Sequence, residues 1–501
     1  MTDQTALWTI MVYISGDRVL DNFAIESLKQ LRGAAGGGVT VEVLFDPNEG
    51  EVAHRLRFDG HQDTNASVFE GAKDQKTSLK TDKVGEIPGP VNVANAENLR
   101  MFIDSVTGAT DSAAGSNDAN RHYGLILWGH GTELLLDSER PSRNKGKAGP
   151  DRKYLTPASL RDALAGTKLL AKRPSKAGSK AVGEFSTKLD FVGLDACSMS
   201  MVEVAAELQE YADFMIASQD DVPDQSFPYE EILSRVKAQR RKKNGAREAC
   251  TMIPSDYKDS FQDYFPAPGP AVTNITLSCL NLQSVEKVTV PLGKLATALQ
   301  RLTLEGNGSD ARRAIIRARS ASRSFVLGLF VDIYDFCQNL EKEKTLGRDV
   351  NAICKEIRHA LTVDSQKDDL VLNNQTNEQG EVRCHGLSIY LPYLTAEESK
   401  NIDESLTIGG TGIVTQLSKG GSQSNLHKSR ITRIAETEQD LASLDRFNDE
   451  TGWKGFIKGT WSYILAKEEP LELDLHYSAQ QCVLNLLSLC EVSSKSSEVA
   501  A

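Results

Sequence analysis

The chain lacks most features that mark a protein for an unusual setting. No apolar run approaches the roughly 18 residues that a membrane span requires. The start, MTDQTALWTIMVYIS, has neither a positively charged lead nor a small-residue cleavage site. It reads as a first strand, and the expectation is a cytoplasmic protein with no membrane contact. Cysteine is sparse, eight in 501 residues, and none forms a Cys-x-x-Cys pair. That excludes a disulfide scaffold, and the eight scattered histidines argue against a zinc site. The thiols are therefore expected to be reduced and free. No Gly-x-Gly-x-x-Gly follows the first strand and no lysine-bearing phosphate loop occurs, which argues against a nucleotide-binding domain. An overall excess of positive charge is missing too. The formal net charge is −12, so no nucleic-acid partner is expected. Neither an internal repeat nor a heptad pattern is present.

What remains is ordinary globular composition, 40% hydrophobic and 25% charged, in a chain long enough for two or three domains. Apolar runs at 7–15, 39–45, 123–128, 189–196 and 214–218 read as buried strands. Helical periodicity separates most of them, at 21–32, 95–106, 201–208 and 229–239. Short hairpin pieces are expected at 55–58 and 66–70. Alternation of this kind predicts an α/β fold, a mostly parallel central sheet with helices on both faces. Further strands are expected at 275–282, 370–373 and 386–391, and helices at 284–304, 309–323 and 347–361. The organisation predicted is a core over 1–245, an α/β extension over 246–394 that completes the sheet and helical layer, and a smaller C-terminal α+β accessory region over 395–501.

One segment breaks the acidic trend. Residues 138–188 hold thirteen Lys or Arg against four Asp or Glu, a local balance of +9. Only one good helix is expected inside it, over 157–170, with proline at its first position. Its flanks are rich in Gly, Ser, Pro and Lys and read as loops. For most of these lysines a solvated surface is the simplest reading.

The chemistry concentrates at two strand ends. His130 lies between two glycines directly after the run YGLILW. Cys197 lies in Asp195-Ala196-Cys197-Ser198, where LDFVGLD gives way to a helical pattern. Parallel sheets place their chemistry at the carboxyl ends of strands, and a helix amino terminus favours a thiolate. If the two strands are neighbours, sulfur and imidazole emerge at one edge, separated by strand spacing of about 4.8 Å. A cysteine and histidine so placed suit nucleophilic acyl transfer. The backbone N–H groups of Gly131 and Cys197 are the candidates for an oxyanion hole. Taken alone, Cys197 reads equally well as a small buried residue packing a turn.

Several stretches together resemble the clostripain family of cysteine peptidases, in the caspase-like clan. They are TIMVYISGDRVLDN, LILWGHG and LDFVGLDACSMSMVEVAAEL, with weaker matches at IASQDDVPDQSFPY, DIYDF and GLSIYLP. The resemblance implies a caspase-like fold and a cysteine endopeptidase with Cys197 as nucleophile and His130 as general base. It implies cleavage after arginine or lysine, for which Asp195 and Asp224 are the candidate pocket acids. Asp195 reads otherwise as a loop-bracing carboxylate. The family usually carries a Gly-Trp near Asp224, where this chain has Ser226-Phe227. Members are processed between the two catalytic residues, so Arg140, Arg143, Lys145, Lys147, Arg152 and Lys153 become candidate cleavage sites in a zymogen. Cutting there would be done by the protein itself or by an activating protease, and a regulatory protein is the other partner to expect. No cofactor is required; the resemblance admits calcium, for which acidic loops such as Asp220-Asp221 would serve. The alternative reading is a caspase-like scaffold or regulatory binding protein without peptidase activity. A caspase-like ligase or transpeptidase shares the same acyl-enzyme. Cys384 and His385 read as edge-of-core packing, and Asp332 and Asp335 as braces or cleft residues.

Overall fold

The computed structural model describes residues 7–16, 20–47, 52–60, 83–88, 91–113, 121–132, 135–137, 154–170, 188–223, 225–240, 242, 244–261, 275–304, 308–325, 328–363, 369–378, 382–392 and 443–467. Five parallel strands make the centre of a nine-stranded sheet: β1 (Leu7–Ser15), β2 (Val39–Asp46), β5 (Arg121–Trp128), β9 (Leu189–Asp195) and β10 (Ala212–Ala217). Antiparallel strands finish both sides. β3 (Val52–Phe58) and β4 (Lys83–Pro88) extend it beyond β2, and β11 (Thr276–Asn281) and β14 (Val371–Thr376) extend it beyond β10. The order is β14-β11-β10-β9-β5-β1-β2-β3-β4. This is the α/β arrangement expected. The antiparallel margins were not legible, because a short strand beside a hairpin carries the same alternation in either direction.

The helices, in chain order, are α1 (Asp21–Ala34), α2 (Ala96–Ala113), α3 (Pro157–Ala165), α4 (Val202–Leu208), α5 (Tyr229–Gln239), α6 (Gly245–Ser260), α7 (Glu286–Leu304), α8 (Ser309–Ala321), α9 (Ile333–Lys342), α10 (Gly347–Leu361) and α11 (Asp445–Thr451). Successive strand residues feed opposite cores, as the period of two requires. Ile10, Val12, Ile14, Ile126 and Phe191 pack with α1, α5 and α6. Met11, Tyr13, Leu125, Leu127, Val192 and Leu194 pack with the remaining helices. Burial on both faces explains why the central strands read as continuous apolar runs.

Two small sheets attach to this frame. β12 (Ser324–Phe325), β13 (Phe330–Asp332) and β15 (Ser388–Tyr390) form one, and a parallel bridge from Met201 to Ser388 ties it to the chain after Cys197. β6 (Gly131–Thr132), β7 (Leu135–Asp137) and β8 (Tyr154–Leu155) form the other. β6 begins one residue after His130, and β7 and β8 pair across the basic insert. Residues 138–153, with all six candidate cleavage sites, lie outside the described residues, as do Asp224 and the hairpin piece expected at 66–70. Beyond residue 392 the described chain is α11 and the helical turns that follow it to Lys467. Among the described residues no helix is long and apolar enough to cross a membrane. The helix expected over 157–170 is shorter, ending at Ala165, where Gly166 caps it.

Candidate active site

Strands β5 and β9 are hydrogen-bonded neighbours in parallel register, with Trp128 opposite Asp195. His130 and Cys197 each follow that pair by two residues, so both leave the sheet at one edge. The Gly129 N–H donates to the Asp195 carbonyl across the gap at 3.3 Å. Gly131 closes the approach. A Cβ at that position would overlap the main-chain O and N of Cys197, so only glycine fits there. The turn holding the imidazole thus rests directly on the turn holding the sulfur.

Cys197 does not open a helix, contrary to expectation. α4 starts at Val202, with Met201 as its N-cap. Between them the chain makes a tight turn in which Ser198 has φ +57°. The Ser200 hydroxyl donates to the Gly386 carbonyl at 2.7 Å, and the Ser388 N–H donates to the Ser200 carbonyl at 2.9 Å. These bonds hold residues 198–201 away from helical geometry. A helix dipole therefore does not reach the sulfur. A local donor does: the Val222 N–H points to Sγ at 3.3 Å, and the Val222 carbonyl lies 3.8 Å from the same sulfur. The sulfur is partly exposed, whereas the other five cysteines among the described residues are buried and free.

The loop after β10 carries that donor. Its main chain also accepts from the residue after the cysteine, Ser198 N–H to the Asp220 carbonyl at 3.0 Å. Asp220 itself pairs with Arg323 at 3.1 Å and accepts the Asp221 N–H at 3.0 Å. Burial and the adjacent Asp221 carboxylate push Asp220 upward against the pull of Arg323. A guanidinium thus holds one Asp220 oxygen and an amide the other. Among the described residues no group of acids, histidines or cysteines is arranged to hold a metal.

Asp195 is the residue expected to line a pocket or to brace a loop. It is buried, and its Oδ2 accepts from the Tyr229 hydroxyl at 2.6 Å, the Phe227 N–H at 3.2 Å and the Ser226 hydroxyl. Ser226, itself at φ +69°, accepts in turn from the Trp128 indole at 2.6 Å. Bracing of the 226–229 turn is thus a role Asp195 performs. Its Oδ1 is buried with no partner. Burial raises the carboxyl to about 6, with the three donors holding it down. In the sequence Ser226 stands out only as a departure from the family's Gly-Trp, and Tyr229 has no signal beyond its place in the segment after β10.

Asp332 and Asp335 prove to be braces. Asp332 is fully buried, caps α9 through the Asp335 N–H, and accepts from the Gln219 side chain at 3.0 Å and the His385 N–H at 2.6 Å. Gln219 returns its own carbonyl to the Gly386 N–H at 2.7 Å. His385 stacks on Tyr334, and Asp335 pairs with Arg383 at 2.6 Å. This network fixes the start of the loop that reaches Cys197.

Comparison with known proteins bears on this site. A family model described as the clostripain family matches residues 12–461. Among solved structures, an inactive zymogen C11 protease from Parabacteroides distasonis is similar at 17% identity and TM-score 0.49, over 77% of this chain and 92% of that one. A secreted C11 cysteine protease from Bacteroides thetaiotaomicron, in complex with an irreversible peptide inhibitor, is similar at 17% identity and TM-score 0.49, over 78% and 94%. No curated protein sequence matches significantly.

Proposed function

The chain belongs to the clostripain family and is a cysteine peptidase; we propose that it cleaves internal peptide bonds after arginine or lysine, with Cys197 as nucleophile and His130 as base. The observation that carries this is the contact of the Gly131 turn on the Cys197 turn across the Trp128–Asp195 register. Sulfur attacks the scissile carbonyl carbon once His130 holds its proton. The carbonyl electrons move to oxygen, beside the Gly131 and Cys197 amides. Collapse breaks the C–N bond, and the imidazolium gives its proton to the leaving amine. Water, deprotonated by His130, then hydrolyses the thioester and restores the thiol.

The preference for a basic side chain is supported by Asp195. Its free Oδ1 is a buried acceptor that a substrate cation would complete, once Ser226 and Phe227 admit it. The same cation would hold the carboxyl in its ionised form. Latency is supported by the basic insert, whose Arg140, Arg143, Lys145, Lys147, Arg152 and Lys153 present the residue types such an enzyme would cut. Processing by the protein itself or by a second protease would convert the zymogen.

Fluorogenic peptides ending in Arg, Lys, Leu or Asp test the reading. The wild type, intact or after limited proteolysis, is expected to hydrolyse the basic pair, and Cys197→Ala to lose about 10³-fold or more. Equal rates for wild type and Cys197→Ala would sink the assignment. On a denaturing gel, purified Cys197→Ala should stay whole where wild type is cut, if the cut is its own.

A further inference from the structure

The nucleophile's turn is gripped from outside by the main chain of one loop, at two points. Asp220 takes the Ser198 N–H at its carbonyl, 3.0 Å away, and the Val222 N–H reaches Sγ at 3.3 Å. A single residue, Asp221, separates the grips, so a small rotation of the loop would loosen both. Its beginning is well anchored. The Ser218 hydroxyl meets Thr276 Oγ1 at 2.8 Å, Thr276 also takes the Gln219 N–H at 3.0 Å, and the Gln219 side chain is held by Asp332 and Gly386. At Asp220 the N–H reaches Thr276 Oγ1 at 3.2 Å and the carbonyl takes the Ser218 hydroxyl at 2.9 Å, while the carboxylate is tied to Arg323 at 3.1 Å.

Arg323 is built for that task. It stands between α8 and β12, far along the chain from the loop, and only 11% of its side chain is exposed. Its main-chain N–H donates to Asp335 Oδ2 at 2.6 Å, which fixes the backbone from which the side chain starts. Its Nε lies 3.4 Å from Glu378, so the guanidinium spans two acids from different elements. A partly buried, two-sided arginine is a rigid strut. We propose that Arg323 and Asp220 form a positioning pair for Cys197: the ion pair holds the 220–222 main chain where the Val222 N–H favours the thiolate and the Asp220 carbonyl fixes the Ser198 turn.

The pair touches neither substrate nor sulfur, so its effect should appear in the reactivity of the thiol. This rests on Cys197 as nucleophile, yet it can be tested apart from peptidase activity. Cys197 alkylation by iodoacetamide is followed by mass spectrometry of the peptide that contains it, in the full chain. Asp220→Asn and Arg323→Gln are each expected to slow alkylation about tenfold, the scale of one charge-assisted hydrogen bond. Arg323→Lys, which keeps the charge, should recover part of the loss. Where hydrolysis is measurable, kcat should fall by the same factor with KM unchanged.

Asp220→Asn keeps the carbonyl acceptor and leaves Arg323 paired with Glu378, so it is the variant expected to fold if Arg323→Gln does not. An unchanged alkylation rate in folded Asp220→Asn would overturn the proposal. So would an equal slowing by Arg323→Lys and Arg323→Gln. Slowed alkylation in a protein that hydrolyses no basic peptide would leave the positioning pair standing and remove the substrate reading alone.

Discussion

One methyl group is enough to part the two turns of the site. Gly131 meets the Cys197 main chain with no room for a Cβ, so Gly131→Ala must push the imidazole turn away from the sulfur. The expected result is a fall in kcat/KM of about 10²–10³, the scale of losing one oxyanion donor. Thermal unfolding should change little beside it, since the site lies in the turns beyond the carboxyl ends of β5 and β9 and outside the ladder itself. Buried acids make a second residue-scale prediction. Glu203 is fully buried in α4, with one oxygen on the Tyr390 N–H at 2.8 Å and the other unpartnered. Burial raises it from 4.5 to about 7. A raised folded value means its contribution is fully present below the unfolded value and is lost as pH rises toward 7. Glu203→Gln mimics the protonated form, so urea titrations should show the variant gaining on wild type between pH 5 and pH 8. A constant difference across that range would refute the sign. At this scale Cys197, His130 and Gly131 were legible because each stands beside an apolar run in a short motif. Val222 and Arg323 were not, since one acts through its amide and the other from far along the chain.

At the scale of elements, periodicity was a good guide where a stripe was strong. The helix expected over 347–361 is α10 residue for residue, with Val350, Cys354, Ile357 and Leu361 buried. The helix expected over 201–208 is α4, Val202–Leu208, and the residues before it, 198–201, are drawn to Ser218 and the 386–388 segment. The helical segment at the end of the described chain was missed, because a long polar stretch hides its start. It is nevertheless tightly seated. Trp453 and Trp461 are buried, and their indoles donate to the Tyr390 carbonyl at 2.8 Å and the Pro392 carbonyl at 2.6 Å. The Phe447 N–H reaches Glu207 of α4 at 3.2 Å. Trp453→Ala should therefore cost about 3–5 kcal/mol in chemical denaturation. A loss under about 1 kcal/mol would mean that this segment is an ornament on a fold complete without it.

Across the whole molecule, the division that matters is the one a cut in the insert would make. Strands β1 to β5 would fall to one fragment and β9, β10, β11 and β14 to the other, joined by the β5–β9 ladder and by cores on both faces. A protein nicked between residues 138 and 153 should run as two bands on a denaturing gel and elute natively as one species of unchanged size. Separation of the fragments under native conditions would contradict this account of the sheet. The pairing of Leu136 with Leu155 and of Asp137 with Tyr154 has a kinetic corollary. It brings the two ends of the 138–153 segment to one spot, a few residues along the small sheet from His130. A scissile bond in that loop is then presented at a fixed local concentration that dilution does not alter. Maturation by the chain's own sulfur should be first order, with the same half-life in a dilute sample as in a concentrated one.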